Sequence, residues 1–255
     1  MPRDGSGRGP LPRGVLSRPA ARGHGKPAVS PRRLVTALAV LLLFVVLAAV
    51  HQYNSPRARF LRYCHHLQTP SGRGADKPVT DGNPTVAVLG DSYSSGFALQ
   101  QPTEAWPTQL GRIEHWRVFV DGVAGTGMTN SGLCDQPYAS RVQQVLSYRA
   151  QRVIIEVGLN DTASPELAIQ QATSAVLARL SAVAQVDVVG PPPVPAKSPA
   201  YLQRTDTALR TATQQAGRRY VGALGWQLPY LPDGVHLTPV GHRQFAELVA
   251  LALRG

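Results

Sequence analysis

Four short segments carry side chains that can do chemistry together. In chain order they are Val86–Gly96 (VAVLGDSYSSG), Asp121–Gly127 (DGVAGTG), Val157–Asp161 (VGLND) and Asp233–His242 (DGVHLTPVGH). A serine hydroxyl is a weak nucleophile near neutral pH and needs a base within hydrogen-bond reach. Ser92 supplies the hydroxyl, and His236 can take its proton and later return it to a leaving alcohol. Asp233 stands three residues before His236, close enough to accept the other ring N–H and fix the tautomer. His242 is a second candidate base, and Ser92 has the alternative role of capping a helix. Asp91 and Asp161 are read as structural, through hydrogen bonds to backbone.

These segments need elements to position them. Thr85–Leu89 (TVAVL), Arg117–Val120, Val153–Val157 (VIIEV) and Val186–Val189 (VDVV) are apolar, β-branched runs, as expected for parallel strands covered on both faces. A helix is predicted between the last two, with Ser164 as N-cap and Pro165 at its first position. Its apolar stripe is Ile169, Ala172, Val176, Leu180 and Val183. A final helix starts at Thr238-Pro239 and puts Phe245, Leu248, Val249 and Ala252 on one face. The alternation implies a three-layer α/β/α sandwich with a central parallel sheet, flavodoxin-like in architecture, over residues 85–255. A serine at the carboxyl end of such a strand lies on the ligand-binding edge.

One such segment is weak, since Gly-Asp-Ser occurs by chance. Four in this order, three of them after strands, are much more specific. They resemble the blocks of the SGNH hydrolase family, also called GDSL esterases/lipases, here centred on Ser92, Gly125, Asn160 and His236. The resemblance implies a catalytic Ser92, Asp233 and His236. It also implies an oxyanion hole formed by the N–H groups of Ser92 and Gly125 and the Asn160 side-chain amide. Gly122 or Gly127 are the alternatives to Gly125, and Asn160 could instead organise an Asx-turn. Asp121 replaces an asparagine often seen before the glycine block. An α/β-hydrolase does not fit: its elbow needs G-x-S-x-G, whereas this chain has Gly90-Asp91-Ser92-Tyr93-Ser94.

The net charge of +11 suggests nucleic acid, but its distribution argues otherwise. Residues 1–33 hold eight Lys/Arg and one acid, Asp4, whereas the remainder holds 18 against 14. The tail is expected to be disordered and cytoplasmic, and nucleic-acid binding is excluded. Leu34–Val50 follows without a charge, and residues 34–53 read as a transmembrane signal-anchor. Arg32 and Arg33 at its start place everything after it outside the cytoplasm. The rival is a cleaved signal peptide, with sites at Val46-Leu47-Ala48 or Leu47-Ala48-Ala49. Residues 54–84, dense in turn formers, read as a linker.

The two cysteines, Cys64 and Cys134, fall on the exported side, where a disulfide between them can persist. His65 and His66 lack a second cluster to complete a metal site, so neither metal nor cofactor is expected. The expected activity is hydrolysis of a small-molecule or cell-envelope ester through an acyl-serine. The alternatives are an envelope O-acyltransferase using the same site and a non-catalytic binding module. The prolines Pro191–Pro193 and Pro195 are read as stiffening one pocket wall.

Overall fold

The computed structural model describes residues 30–255; the basic tail up to residue 29 lies outside them. The described residues fall into two units, residues 30–54 and 55–255. In the first, helix α1 (Pro31–Tyr53) is capped by Ser30, whose hydroxyl accepts from the Arg33 N–H, with proline at the first turn. Its 23 residues are long and apolar enough to cross a membrane, a test that a signal sequence also passes.

The second unit begins earlier than the expected residue 85. Residues 54–84, read as a linker, instead carry helix α2 (Pro56–Leu67) and strand β1 (Pro78–Thr80). The signal was present: Ser55-Pro56 repeats the cap-then-proline pattern, and the Ser55 hydroxyl accepts from the Ala58 N–H. Among the ties that hold this segment to the rest are the following three. Cys64 and Cys134 form a disulfide with 4.9 Å between their Cα atoms. Arg73 pairs with buried Asp121, and the Tyr148 hydroxyl donates to the Ala75 carbonyl at 2.6 Å.

The remaining elements follow in order: β2 (Thr85–Gly90), α3 (Ser92–Ser95), α4 (Trp106–Glu114), β3 (Arg117–Gly122), α5 (Tyr138–Ser147), β4 (Arg152–Glu156), α6 (Glu166–Arg179), β5 (Gln185–Val189), α7 (Pro199–Gln215), β6 (Arg219–Val221) and α8 (Pro239–Arg254). The sheet order is β1-β3-β2-β4-β5-β6. Five strands run parallel, as the apolar runs implied, but β1 joins the β3 edge antiparallel. The sheet is therefore mostly parallel.

Alternation along β2 divides the core. Val86 and Val88 pack with Trp106 and Leu110 of α4 and Phe245 and Val249 of α8. Ala87 and Leu89 face Val142 of α5, Ile169 and Val176 of α6, and Leu209 of α7. Three layers result, because a strand buried on both faces must be apolar at every position. Successive strands lie on opposite sides of β2, with β3 on one and β4 on the other. The carboxyl end of β2 is thus the topological switch point, where ligands bind in open α/β sheets.

Helix α6 departs from expectation at its start. Pro165, not Ser164, is the N-cap residue, and no side chain caps the helix. The Ser164 hydroxyl lies 2.7 Å from that of Thr129 instead. Leu180 closes the helix and Val183 falls beyond it, though both stay packed against the core. Helix α8 begins as read, with the Thr238 hydroxyl accepting from the Gly241 N–H.

The disulfide closes a loop across 70 residues of sequence. In the chain-entropy picture such a loop contributes about 4 kcal/mol. Cys134→Ser should therefore lower the unfolding free energy by up to that amount, read by denaturant titration of the intact chain. Mass spectrometry after alkylation without reductant should find neither thiol modified; two alkylated thiols would exclude the bond.

Candidate active site

Ser92, Gly125, Asn160 and His236 line one cleft, and Asp233 adjoins it through His236. Ser92 begins α3 directly after β2, Gly125 lies in the loop after β3, Asn160 lies after β4, and Asp233 and His236 precede α8. The sharp exit from β2 depends on Gly90. A Cβ there would sit 1.9 Å from Ser94 Oγ and 2.9 Å from Glu156 Oε2. Only glycine leaves room for that packing.

His236 Nε2 lies 3.2 Å from Ser92 Oγ, and His236 Nδ1 lies 2.6 Å from Asp233 Oδ2. The other oxygen, Asp233 Oδ1, accepts from the backbone N–H groups of Val235 and His236, each at 2.9 Å. The His236 ring and those two N–H bonds together hold the Asp233 carboxyl down at about 2. The carboxylate therefore stays charged and accepting through the physiological range. Tyr93, next to the serine, donates its buried hydroxyl to the Val235 carbonyl and pins the histidine loop from below. Burial pushes that phenol far above its ordinary value, so it remains a donor.

His242 is elsewhere. It is buried in the core, its Nδ1 accepts from the Trp106 N–H at 3.3 Å, and its ring meets Tyr93 edge-on. Burial lowers its pKa to about 4, leaving a neutral packing residue.

Among the described residues, no protein acceptor engages the N–H of Ser92 or of Gly125. The Gly127 N–H, by contrast, is spent on the Asn130 carbonyl at 2.8 Å. Gly125 has φ +78°, and a Cβ there would meet nothing closer than 4.0 Å. Its requirement is conformational, a left-handed backbone that other residues rarely adopt. The loop is fixed by Asp161, which accepts from the N–H groups of Met128, Thr129 and Asn130 at 3.0, 2.8 and 3.2 Å. That is the structural role read for Asp161.

Asn160 is more constrained than its sequence suggested. Its amide nitrogen donates to Asp91 Oδ2 at 2.8 Å and to the Thr126 carbonyl at 2.9 Å, which occupies both hydrogens. Asp91 also accepts from the Tyr93 N–H at 2.9 Å. Glu156, at the end of β4, completes this network. Its Oε2 accepts from the Ser94 hydroxyl at 2.9 Å, and its carboxyl faces that of Asp91. Burial raises Asp91 to about 6 and drives Glu156 well above the carboxylate range. Two buried carboxyls this close share a proton, with Glu156 the donor and Asp91 the anion.

Two further residues escaped the sequence reading. Arg141, fully buried, donates to the carbonyls of Asp121 and Gly90 at 2.7 and 3.0 Å and to the Thr126 hydroxyl at 2.9 Å. Lys197 lines the cleft, whereas the preceding prolines do not; Pro193 and Pro195 border a separate cavity. The cleft holds about 340 Å³, and Phe97, Val123, Leu133, Leu159 and Val235 make it mainly apolar.

Residues 88–244 match the model of the GDSL-like lipase/acylhydrolase family. No curated protein matches the chain. Among solved structures it is similar to Est24, a carbohydrate acetylesterase from Sinorhizobium meliloti, at 16% identity and a TM-score of 0.59. That match covers 68% of this chain and 99% of the other. It is also similar to the psychrotrophic esterase EstA from Pseudoalteromonas sp., at 15% identity and a TM-score of 0.55, covering 68% and 97%. At these identities the likeness is one of fold. The family match takes in Ser92, Gly125, Asn160, Asp233, His236 and His242, and on that ground the chain belongs to the GDSL-like lipase/acylhydrolase (SGNH hydrolase) family and is a carboxylic ester hydrolase of that type.

Proposed function

We propose that this chain cleaves esters through an acyl-Ser92 intermediate while held outside the cytoplasmic membrane by α1. The observation that carries the chemistry is the unbroken line from Asp233 Oδ2 through His236 to Ser92 Oγ, with contacts of 2.6 and 3.2 Å. The anchoring is favoured by Arg32 and Arg33 at the start of a helix whose next 17 residues carry no charge. The disulfide agrees with an oxidising compartment.

Catalysis follows from the groups in place. Ser92 Oγ attacks the ester carbonyl carbon as His236 Nε2 takes its proton, and Asp233 balances the imidazolium. The new oxyanion is met by the free N–H groups of Ser92 and Gly125. Asn160 joins by turning one hydrogen from the Thr126 carbonyl to the oxyanion, while Asp91 keeps the other. Collapse expels the alcohol, which leaves with the proton from His236. Water then repeats the sequence on the acyl-serine and releases the acid.

Ser92→Ala should abolish both turnover and labelling by a fluorophosphonate. His236→Ala should cost several orders of magnitude more than His242→Ala; the reverse order would move the base to the core histidine. Asn160→Ala should keep labelling and lose roughly 10²–10³ in kcat, the range for one oxyanion donor.

The fate of the acyl group is a separate measurement. Capture by an alcohol in place of water needs a positioned acceptor, worth effective molarities of roughly 10⁵ M or more. With a chromogenic ester and millimolar glycans or alcohols, free acid should form faster than acylated acceptor. The opposite ratio would make the chain a transferase. Protease added to intact spheroplasts should digest the catalytic unit; protection of that unit would reverse the orientation.

A further inference from the structure

The Ser92 cleft has a wall that the family match does not include. Matching residues start at 88, yet Tyr63 and Leu67 of α2 line the cleft beside Phe97 and Leu133. The Cys64–Cys134 bond fastens α2 there, since its two cysteines adjoin Tyr63 and Leu133. Three of these side chains stay open to water around the cleft: Leu133 is 82% exposed, Phe97 54% and Tyr63 53%. Large apolar groups gathered at a concave site mark ligand contact rather than packing.

The chemistry of this wall excludes one substrate class and favours another. A sugar ring needs several hydrogen-bonding partners, and the α2 and Leu133 side offers only the Tyr63 hydroxyl. A hydrocarbon chain needs none and gains by leaving water. The cleft volume of about 340 Å³ far exceeds what an acetyl group fills. We propose that α2 and the Leu133 loop form an acyl-chain site, and that the substrates are esters of aliphatic acids of medium length. This rests on the hydrolase reading above and adds its specificity. The alcohol half then lies toward Lys197, the only ammonium group among the cleft-lining residues.

The test uses the intact chain in lipid nanodiscs with p-nitrophenyl acetate, butyrate, hexanoate and octanoate. Burying one methylene corresponds to about a fourfold gain in transition-state binding. The ratio kcat/KM should therefore rise at least tenfold from acetate to hexanoate. Tyr63→Ala and Leu67→Ala should each lower the hexanoate value at least fivefold more than the acetate value. A profile that is flat or falls beyond acetate overturns the proposal, as does equal loss on both esters. A readout on the unmutated chain guards against misfolded variants: octanoate, and not acetate at equal concentration, should slow fluorophosphonate labelling of Ser92. Equal protection by both acids also overturns it. If no ester is cleaved and Ser92 resists the label, the hydrolase reading itself fails and this proposal falls with it. Cleavage of acetate alone sinks only the acyl-chain site.

Discussion

The guanidinium of Arg141 is the constraint on which the site depends. Three stretches of chain must meet at one point for Ser92 and Gly125 to line a common cleft: the end of β2, the end of β3 and the loop after β3. Arg141 bonds all three, through the Gly90 carbonyl, the Asp121 carbonyl and carboxylate, and the Thr126 hydroxyl. Its planar fork can hold these acceptors at fixed angles, which a lysine could not do. Arg73 reaches the same Asp121 from residues 54–84, at 2.9 and 3.1 Å. One carboxylate thus joins the β3 end to the segment that forms the cleft wall.

Two buried guanidinium groups against one carboxylate leave an excess positive charge, which is costly away from water. The Asp91–Glu156 pair lies close enough for Arg141 to favour the Asp91 anion. By sharing one proton the two carboxyls carry a single negative charge, which offsets that excess. The placement serves the site as well as the balance. Asp91 precedes Ser92 and grips Asn160, while Glu156 grips Ser94 on the far side of Ser92. The surroundings of Ser92 and the Asn160 side chain are held by the same pair of acids.

What the sequence disclosed follows the range of the forces involved. Strands β2, β3, β4 and β5 were legible because burial on both faces demands unbroken apolar runs. Asp233 and His236 were legible because both fall in one turn, where spacing dictates geometry. Glu156 was passed over inside VIIEV, since its partners Asp91 and Ser94 lie more than 60 residues away. Arg141 and Arg73 were passed over for the same reason: nothing local in QPYASRV or SGRG distinguishes a buried cation from a surface one. Helices α5 and α7, each with a charged side chain, Arg141 or Asp206, buried among its apolar ones, were not read from the sequence. The linker reading failed because glycine and proline density outweighed the Ser55-Pro56 cap.

That failure bears on how the molecule is built. Had residues 54–84 been a linker, the cleft would lack the wall that Tyr63 and Leu67 of α2 supply. The same α2 is bound to the catalytic unit by a covalent bond and, through Arg73, by a buried ion pair. These ties lie within the unit that holds Ser92, so Tyr63 and Leu67 reach the cleft as part of its own fold. A wall held by a covalent bond and a buried ion pair keeps its shape without a ligand, and its apolar side chains need no ordering when one binds.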